Sequence, residues 1–253
     1  VVAGMGGTQA RFGAVDSSGH IWKVAVLKWA EFDGLEQADR HYTESQQVQS
    51  TALAAAVACP VEQDRIALTN NHWVFSKTQL IAELGLHEAL VINDFTAQSL
   101  AVVSVGPGSF ETLQAGTANP QAPIFVVGPG TGLGVGGLVI DADGEWTPLS
   151  TEGGHVTLAA QTEDEWDVLR ILKSSFSHVS AERVISGPGL FLLYQTLCTL
   201  HRKQPIADSP ITMIAAVDQD PLISRALELF AGFFGIVASY GCLTLGSTQG
   251  VHI

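Results

Sequence analysis

Short apolar stretches, separated by glycine-rich loops and by segments with helical spacing, alternate along the 253 residues of this chain. Small and apolar residues alternate over 1–15, a turn follows at 16–19, and a second apolar stretch covers 21–29, which predicts an opening β-hairpin. The continuous small-apolar run 53–60 is typical of a strand buried on both faces. Residues 89–92 predict a further buried strand.

Helix signals lie between these strands. Ser76 and Gln79 have the spacing of a capping box, as do Thr162 and Glu165, and Gly85 is placed to end the first of these helices. The periodicity predicts helices at residues 35–50, 76–84, 94–103, 162–173, 188–200 and 221–245.

The pattern restarts halfway along the chain. A loop region at 106–123 is rich in Gly, Pro, Ser and Thr. Residues 124–149 then contain, in order, a strand, a glycine loop, a second strand, a turn and a third strand. Helices come after them. Because the chain opened in the same order, we expect a duplicated α/β architecture. The predicted domains are residues 1–105 and 106–253.

The composition excludes several classes of protein. Hydrophobic residues make up 46% and charged residues 15%, as in a folded globular chain, and the net charge of −13 argues against nucleic acids and anionic membranes as partners. No apolar run reaches the ~20 residues of a membrane helix, and no export signal is visible. Three widely spaced cysteines, Cys59, Cys198 and Cys242, predict neither disulfides nor a zinc site and favour a reducing compartment.

Two glycine loops could bind phosphate. Gly6, Gly7 and Thr8 lie in the first, between two strands, where backbone N–H groups can approach an anion without Cβ obstruction. A tight β-turn with a bulge is the alternative. The second loop, 128–134, contains Gly130, Thr131 and Gly132 and also continues into a strand, which excludes the dinucleotide-binding pattern, and it lacks the Lys of a Walker motif. Two such hairpins are typical of the actin-like ATPase and hexokinase architecture.

Asn93 and Asp94 come directly after a predicted buried strand, at the edge where α/β sheets place their sites. A carboxylate there could accept a proton from a hydroxyl that attacks a phosphoryl group. Asp94 could instead serve as a helix N-cap, or do both.

A further candidate is the segment Glu152-Gly153-Gly154-His155. A carboxylate and an imidazole separated by two glycines can converge on vicinal hydroxyls of a sugar, whereas either side chain alone would more often be an ordinary surface residue. Glu182 has no such sequence context, and it could instead be a solvated helix residue that pairs with Arg183.

These segments resemble the bacterial glucokinase family over nearly the whole chain. The matching segments are Gly6-Gly7-Thr8 with Ala10-Arg11, Ala58-Cys59-Pro60, Thr69-Asn70 with Trp73, Ile92-Asn93-Asp94-Phe95-Thr96-Ala97, Gly130-Thr131-Gly132-Leu133-Gly134, Glu152-Gly153-Gly154-His155, and 178–190. The fourth and the last are highly specific.

The resemblance implies a role for each matching residue. Asp94 would be the base for the 6-hydroxyl of glucose, and Asn93 would bind neighbouring hydroxyls. Glu152, His155 and Glu182, with Gly153 beside them, would hold the remaining hydroxyls. Two phosphate loops are implied, one formed by Gly6, Gly7 and Thr8 and the other by Gly130, Thr131 and Gly132.

The resemblance also implies the fold and the setting. It predicts an ATP- and Mg²⁺-dependent glucokinase of glycolysis, with no metal ligands assigned on the chain. The implied fold is the two-domain actin-like ATPase (ribonuclease H-like) fold, with a small N-terminal α/β domain and a larger C-terminal α+β domain. A cytoplasmic homodimer is expected.

Two features depart from the family pattern. Gly4 stands where the family carries an Asp that organises the Mg²⁺ water shell, and Gln9 replaces the usual Asn. The sequence also stops at Ile253, so we expect the C-terminal domain to be truncated, without an assignable adenosine site. These departures leave open a sugar-binding pseudokinase of the same fold, and a structural actin-like assembly module is a third hypothesis.

Overall fold

The computed structural model describes residues 1–6, 9–68 and 71–253. The chain divides into two compact units, Val1–Ala101 and Val102–Ile253. The division falls inside the helix Asp94–Ser104, a few residues before the boundary that the sequence suggested.

The first unit is built around one sheet. Its strands are β1 Val2–Met5, β2 Gln9–Val15, β3 Ile21–Lys28, β4 Ala52–Val57, β5 Arg65–Ala67, β6 Val74–Ser76 and β7 Glu88–Asn93. Its helices are α1 Leu35–Gln46, α2 Lys77–Leu84 and α3 Asp94–Ser104, with a 3₁₀ turn at Trp29–Glu31. The main sheet has the order β3-β2-β1-β4-β7, and β5 pairs with β6 separately.

Strand direction places the ends of three strands at one edge of this sheet. β1 pairs antiparallel with β2 and parallel with β4, and β4 pairs parallel with β7. The register aligns Met5 with Val57 and Val57 with Asn93. Gly6, which follows β1, and Asp94, which follows β7, therefore leave the same edge of the sheet, two strands or about 10 Å apart.

One face of this sheet carries the core of the first unit. Leu53, Ala55 and Val57 are buried against α1 and α2, in a cluster that includes the fully buried Tyr42 and Trp73. The prediction that 53–60 is buried on both faces was wrong, because the alternate residues of β4 are half-buried or exposed and the strand ends at Val57. Every residue from 53 to 59 is apolar, but Ala54 and Ala56, which point to the other face of the sheet, are only half-buried.

The second unit has a sheet of four strands. They are β8 Ile124–Pro129, β9 Leu133–Ile140, β10 Trp146–Ser150 and β11 Gly250–His252, in the order β10-β9-β8-β11. β8 and β9 are antiparallel, as are β9 and β10, whereas β11 is parallel to β8. The same order and directions occur in β3-β2-β1-β4 of the first unit.

Helices supply the rest of the second unit. They are α4 Glu163–Ser175, α5 Ala181–Val184, α6 Gly187–Leu200, α7 Pro210–Ala215 and α8 Pro221–Leu245, with 3₁₀ turns at Pro107–Ser109 and Gly153–His155. The core of this unit packs residues of α4, α6 and α8 against β8 and β9.

Helix α8 is long and apolar enough to cross a membrane by length and composition, with a mean hydropathy of 1.6 over its most apolar window. One helix of this kind is weak evidence for a membrane span, because core helices pass the same test. Seven of its side chains are buried in the second unit, including Ile223, Leu229, Phe233 and Val237. One side of the 25-residue helix therefore packs on the core of the second unit.

The helix starts agree closely with the predicted signals. Thr162 and Glu165 form a reciprocal capping box at α4, and the Ser76 hydroxyl accepts a hydrogen bond from the Gln79 N–H at 3.1 Å. Gly85 ends α2 with a φ of +65°. The short elements β6, α7 and β11 were not predicted, because three to six residues carry too little periodicity.

Candidate functional site

Asn93 and Asp94 occupy the junction between β7 and α3. The Asn93 Oδ1 accepts hydrogen bonds from the N–H groups of Phe95 at 2.9 Å and Thr96 at 3.2 Å. Asn93 is therefore the N-cap of α3, and the proposed N-cap role belongs to it more than to Asp94. The Asp94 Oδ1 accepts from the Phe95 N–H at 2.9 Å, and among the described residues no donor reaches its Oδ2.

Burial raises the pKa of the Asp94 carboxyl, although its hydrogen bonds to backbone N–H groups lower it in part. The neighbouring Cys59 thiol is also buried, and its pKa is raised first by burial and then by the charges of Asp94 and Glu62. A thiol with a raised pKa is a poor nucleophile. Of these two groups, the carboxylate is the one suited to take a proton at neutral pH.

The first glycine loop is described in part. The Gly6 N–H donates to the Gln9 carbonyl at 2.9 Å, which links the residue after β1 to the first residue of β2. Gly7 and Thr8 lie outside the described residues, as do Thr69 and Asn70. At Gly4, an added Cβ would meet no atom within 4 Å.

The second glycine loop joins β8 to β9. The Gly130 N–H donates to the Gly132 carbonyl at 2.7 Å, and the Gly130 carbonyl accepts from the Gly187 N–H at 2.8 Å. In the described part of the chain, no acceptor reaches the N–H groups of Thr131 and Gly132. Of the three residues predicted to bind phosphate here, Thr131 and Gly132 therefore retain N–H groups for an anion.

The predicted sugar-binding segment forms a 3₁₀ turn at Gly153–His155. The His155 N–H donates to the Glu152 carbonyl at 3.0 Å. Thr151 attaches the turn to β9, because its hydroxyl donates to the Val135 carbonyl at 2.7 Å. Glu152 and His155 consequently stand at the start and end of one anchored turn.

The two glycines of this turn are explained by protein contacts. A Cβ at Gly154 would overlap the Leu133 carbonyl, and one at Gly153 would lie 2.6 Å from a Val135 methyl group. Neither residue has a positive φ. The sequence suggested close approach of a ligand, whereas the close approach seen here is that of β9.

Glu182 lies on the single-turn helix α5, which the Ser180 hydroxyl caps by accepting from the Arg183 N–H at 3.2 Å. The Glu182 Oε2 accepts from the Leu133 N–H at 3.0 Å. The alternative pairing with Arg183 was wrong, since that guanidinium lies over the Phe176 ring, 4.5 Å from its centroid. Sequence reasoning missed Leu133, whose contribution is a backbone group and leaves no side-chain signal.

These elements bring three predicted side chains of the second unit together. The His155 Nε2 is 3.7 Å from the Glu152 Oε2, and the His155 Nδ1 is 4.0 Å from the Glu182 Oε1. The side chains are 61%, 63% and 38% exposed for His155, Glu152 and Glu182, respectively. A cluster of two carboxylates around an imidazole, open to solvent, offers the acceptors and donors that bind hydroxyl groups.

The first unit also contains a cavity of about 410 Å³, lined by Val2, Trp22, Gln49, Ala52 and Glu88 among others. It lies at the amino-terminal ends of β1, β4 and β7, at the opposite edge of the sheet from Asp94. In α/β sheets ligands bind at the carboxyl ends, so this cavity is not the candidate site.

Comparison with known proteins places the chain in a family. The sequence model of the family described as "Glucokinase" matches residues 1–253. The glucokinase of Paramagnetospirillum magneticum is 42% identical over 257 residues, spanning all of this chain and 80% of the relative. The glucokinase of Pectobacterium atrosepticum is 40% identical, spanning all of this chain and 79% of the relative.

Solved structures agree. A glucokinase from an Antarctic psychrotroph superposes with a TM-score of 0.85 at 31% identity, over 99% of this chain and 80% of that one. A glucokinase of the ROK family from Streptomyces griseus, in complex with glucose and AMPPNP, gives a TM-score of 0.60 at 17% identity, over 96% of this chain and 79% of that one, and shows a shared fold. From the full-length match and from relatives about 40% identical, the chain belongs to the glucokinase family and is an ATP-dependent glucose kinase.

Proposed function

We propose that the chain transfers the γ-phosphoryl group of ATP to the 6-hydroxyl of glucose through the residues described above. Asp94 accepts the hydroxyl proton and Asn93 binds a neighbouring hydroxyl. Glu152, His155 and Glu182 bind the remaining hydroxyls. The observation that carries this assignment is the approach of both carboxylates to one imidazole, at 3.7 and 4.0 Å.

The environment of Asp94 suits a base. Burial raises the pKa of the Asp94 carboxyl, which makes the carboxylate a better proton acceptor. The helix cap frees Asp94 for this role, because Asn93 supplies the oxygen that the first N–H groups of α3 require. The Asn93 side-chain amide nitrogen keeps both hydrogens for a ligand, since among the described residues it has no acceptor.

The phosphates of ATP have N–H donors in the second loop. Thr131 and Gly132 present N–H groups that no described residue engages, and the first loop contributes Gly6, Gly7 and Thr8 to the same proposal. Mg²⁺ enters with ATP as part of the substrate and neutralises phosphate charge. The described residues include no group of three His, Cys, Asp or Glu side chains that could hold a metal ion on the chain itself.

We also infer the fold class, the oligomeric state and the cellular location of the chain. The sheet order β3-β2-β1-β4-β7 with β2 antiparallel, and its partial repetition in the second unit, support the two-domain actin-like ATPase fold of the ribonuclease H-like class. A cytoplasmic homodimer that acts in glycolysis fits the acidic charge and the free cysteines.

The test is direct detection of glucose 6-phosphate by ³¹P NMR from purified protein with glucose and MgATP. Glu152→Gln and Glu182→Gln should each raise the KM for glucose about tenfold or more, because each removes a charged acceptor. Glu145→Gln, at an exposed turn residue, is the matched control and should leave the KM for glucose unchanged. No glucose 6-phosphate would contradict the proposed reaction, and unchanged KM values would contradict the site.

A further inference from the structure

The carboxylate of Glu182 rests directly on the second glycine loop. Its Oε2 accepts from the Leu133 N–H at 3.0 Å. A Cβ added at Gly132 would lie 3.1 Å from the Glu182 Cδ and nearer still to Oε2. The space that a side chain would occupy at position 132 is therefore filled by the Glu182 carboxylate.

The backbone does not explain glycine at position 132. Its φ is outside the positive range that disfavours other residues, and the three atoms nearest to an added Cβ all belong to the Glu182 side chain. Gly130, in the same loop, differs in this respect, because a Cβ there would meet nothing within 4 Å. Gly132 therefore differs from Gly130 in lying against the Glu182 side chain.

We propose that Gly132 and the Leu133 N–H are positioning elements for the sugar-binding carboxylate, and not solely parts of a phosphate loop. This inference rests on the proposed role of Glu182 in glucose binding. The N–H holds Oε2, and the missing side chain lets the carboxylate reach it. The other oxygen, Oε1, is left facing the His155 Nδ1 at 4.0 Å, where it is available to a sugar hydroxyl.

The test is glucose binding measured by calorimetry without nucleotide, so that phosphate binding plays no part. Gly132→Ala should weaken glucose affinity about tenfold or more, because the Glu182 carboxylate is displaced and loses the hydrogen bond that it accepts from the Leu133 N–H. Gly116→Ala is the matched control, at an exposed glycine of the same unit outside both glycine loops where an added Cβ meets no atom within 4 Å, and it should leave this affinity unchanged. Wild-type affinity in Gly132→Ala would overturn the proposal.

A double-mutant cycle separates positioning from general damage to the loop. Asp at position 182 is one methylene shorter, so its carboxylate withdraws from position 132. Gly132→Ala should therefore cost glucose affinity in the Glu182 background and almost nothing in the Glu182→Asp background. An equal loss in both backgrounds would overturn the proposal.

The cycle also separates this inference from the function on which it rests. Unchanged glucose affinity in Glu182→Asp would reject the role of Glu182 itself, and the positioning role would be rejected with it. Thermal unfolding of each variant accompanies the calorimetry. Weaker glucose binding that follows a general loss of folded protein, equally in both backgrounds, would count against the proposal.

Discussion

The side chain of Asn93 accepts a hydrogen bond from the Phe95 N–H at 2.9 Å and thereby caps the helix that Asp94 begins. Two adjacent polar residues at the end of one strand thus have different tasks. Asn93 satisfies N–H groups that the first turn of α3 would leave unpaired, and Asp94 keeps one carboxylate oxygen without a donor among the described residues. This division makes Asp94 the residue to test for catalysis.

Asp94→Asn should abolish turnover while leaving glucose affinity within about tenfold, because only the transition state needs the base. The measurement is kcat by direct detection of glucose 6-phosphate, together with calorimetry for glucose. Asp143→Asn, at an exposed turn, is the control and should retain kcat. Full activity in Asp94→Asn would remove this carboxylate from the mechanism.

Gly154→Ala should destabilise the second unit by about 1–3 kcal/mol, because the added methyl group overlaps the Leu133 carbonyl. Urea denaturation followed by fluorescence measures the effect. Gly116→Ala meets no atom within 4 Å and should be neutral or slightly stabilising. Equal midpoints for the two variants would show that the turn shifts without cost.

Asp39 should make folding stability fall as the pH rises. Burial raises its pKa to about 6 from 3.8, although the Val1 amino group and Arg40 offset part of the effect. Because the folded protein holds the proton more tightly, the contribution of Asp39 is fully present below pH 3.8 and is lost as the pH rises through about 6.

Removing the charge tests this sign. Asp39→Asn should be more stable than the wild type at pH 7.5, by about 1–3 kcal/mol, and the difference should disappear near pH 4. Denaturation at both pH values is the measurement. A variant that is less stable at pH 7.5 would show that the ionised carboxylate is well accommodated.

Gly4→Asp should raise kcat about tenfold or more, because the family resemblance places a metal-organising carboxylate at this position. The site can accept it, since an added Cβ meets no atom within 4 Å. Gly4→Asn has nearly the same shape without the charge and serves as the control. Equal kcat values for the two variants would mean that this chain organises Mg²⁺ without a carboxylate at position 4.

The sequence alone was sufficient to predict the secondary-structure elements that have strong local signals. Helices α4, α6 and α8 lie where the periodicity indicated, and α4 begins at the predicted capping box of Thr162 and Glu165. These features depend on neighbours within one or two turns of the same helix, so they can be inferred without knowing the fold.

Contacts between distant segments required the tertiary structure. The hydrogen bond from Leu133 to Glu182 joins residues 49 positions apart, and the packing of Gly154 on the Leu133 carbonyl depends on how β9 meets the following turn. Residue types suggested that Glu152, His155 and Glu182 bind a sugar. Only the folded chain shows that the Leu133 N–H donates to the Glu182 carboxylate and that this carboxylate fills the space beside Gly132, because backbone groups and empty space have no signature in a sequence.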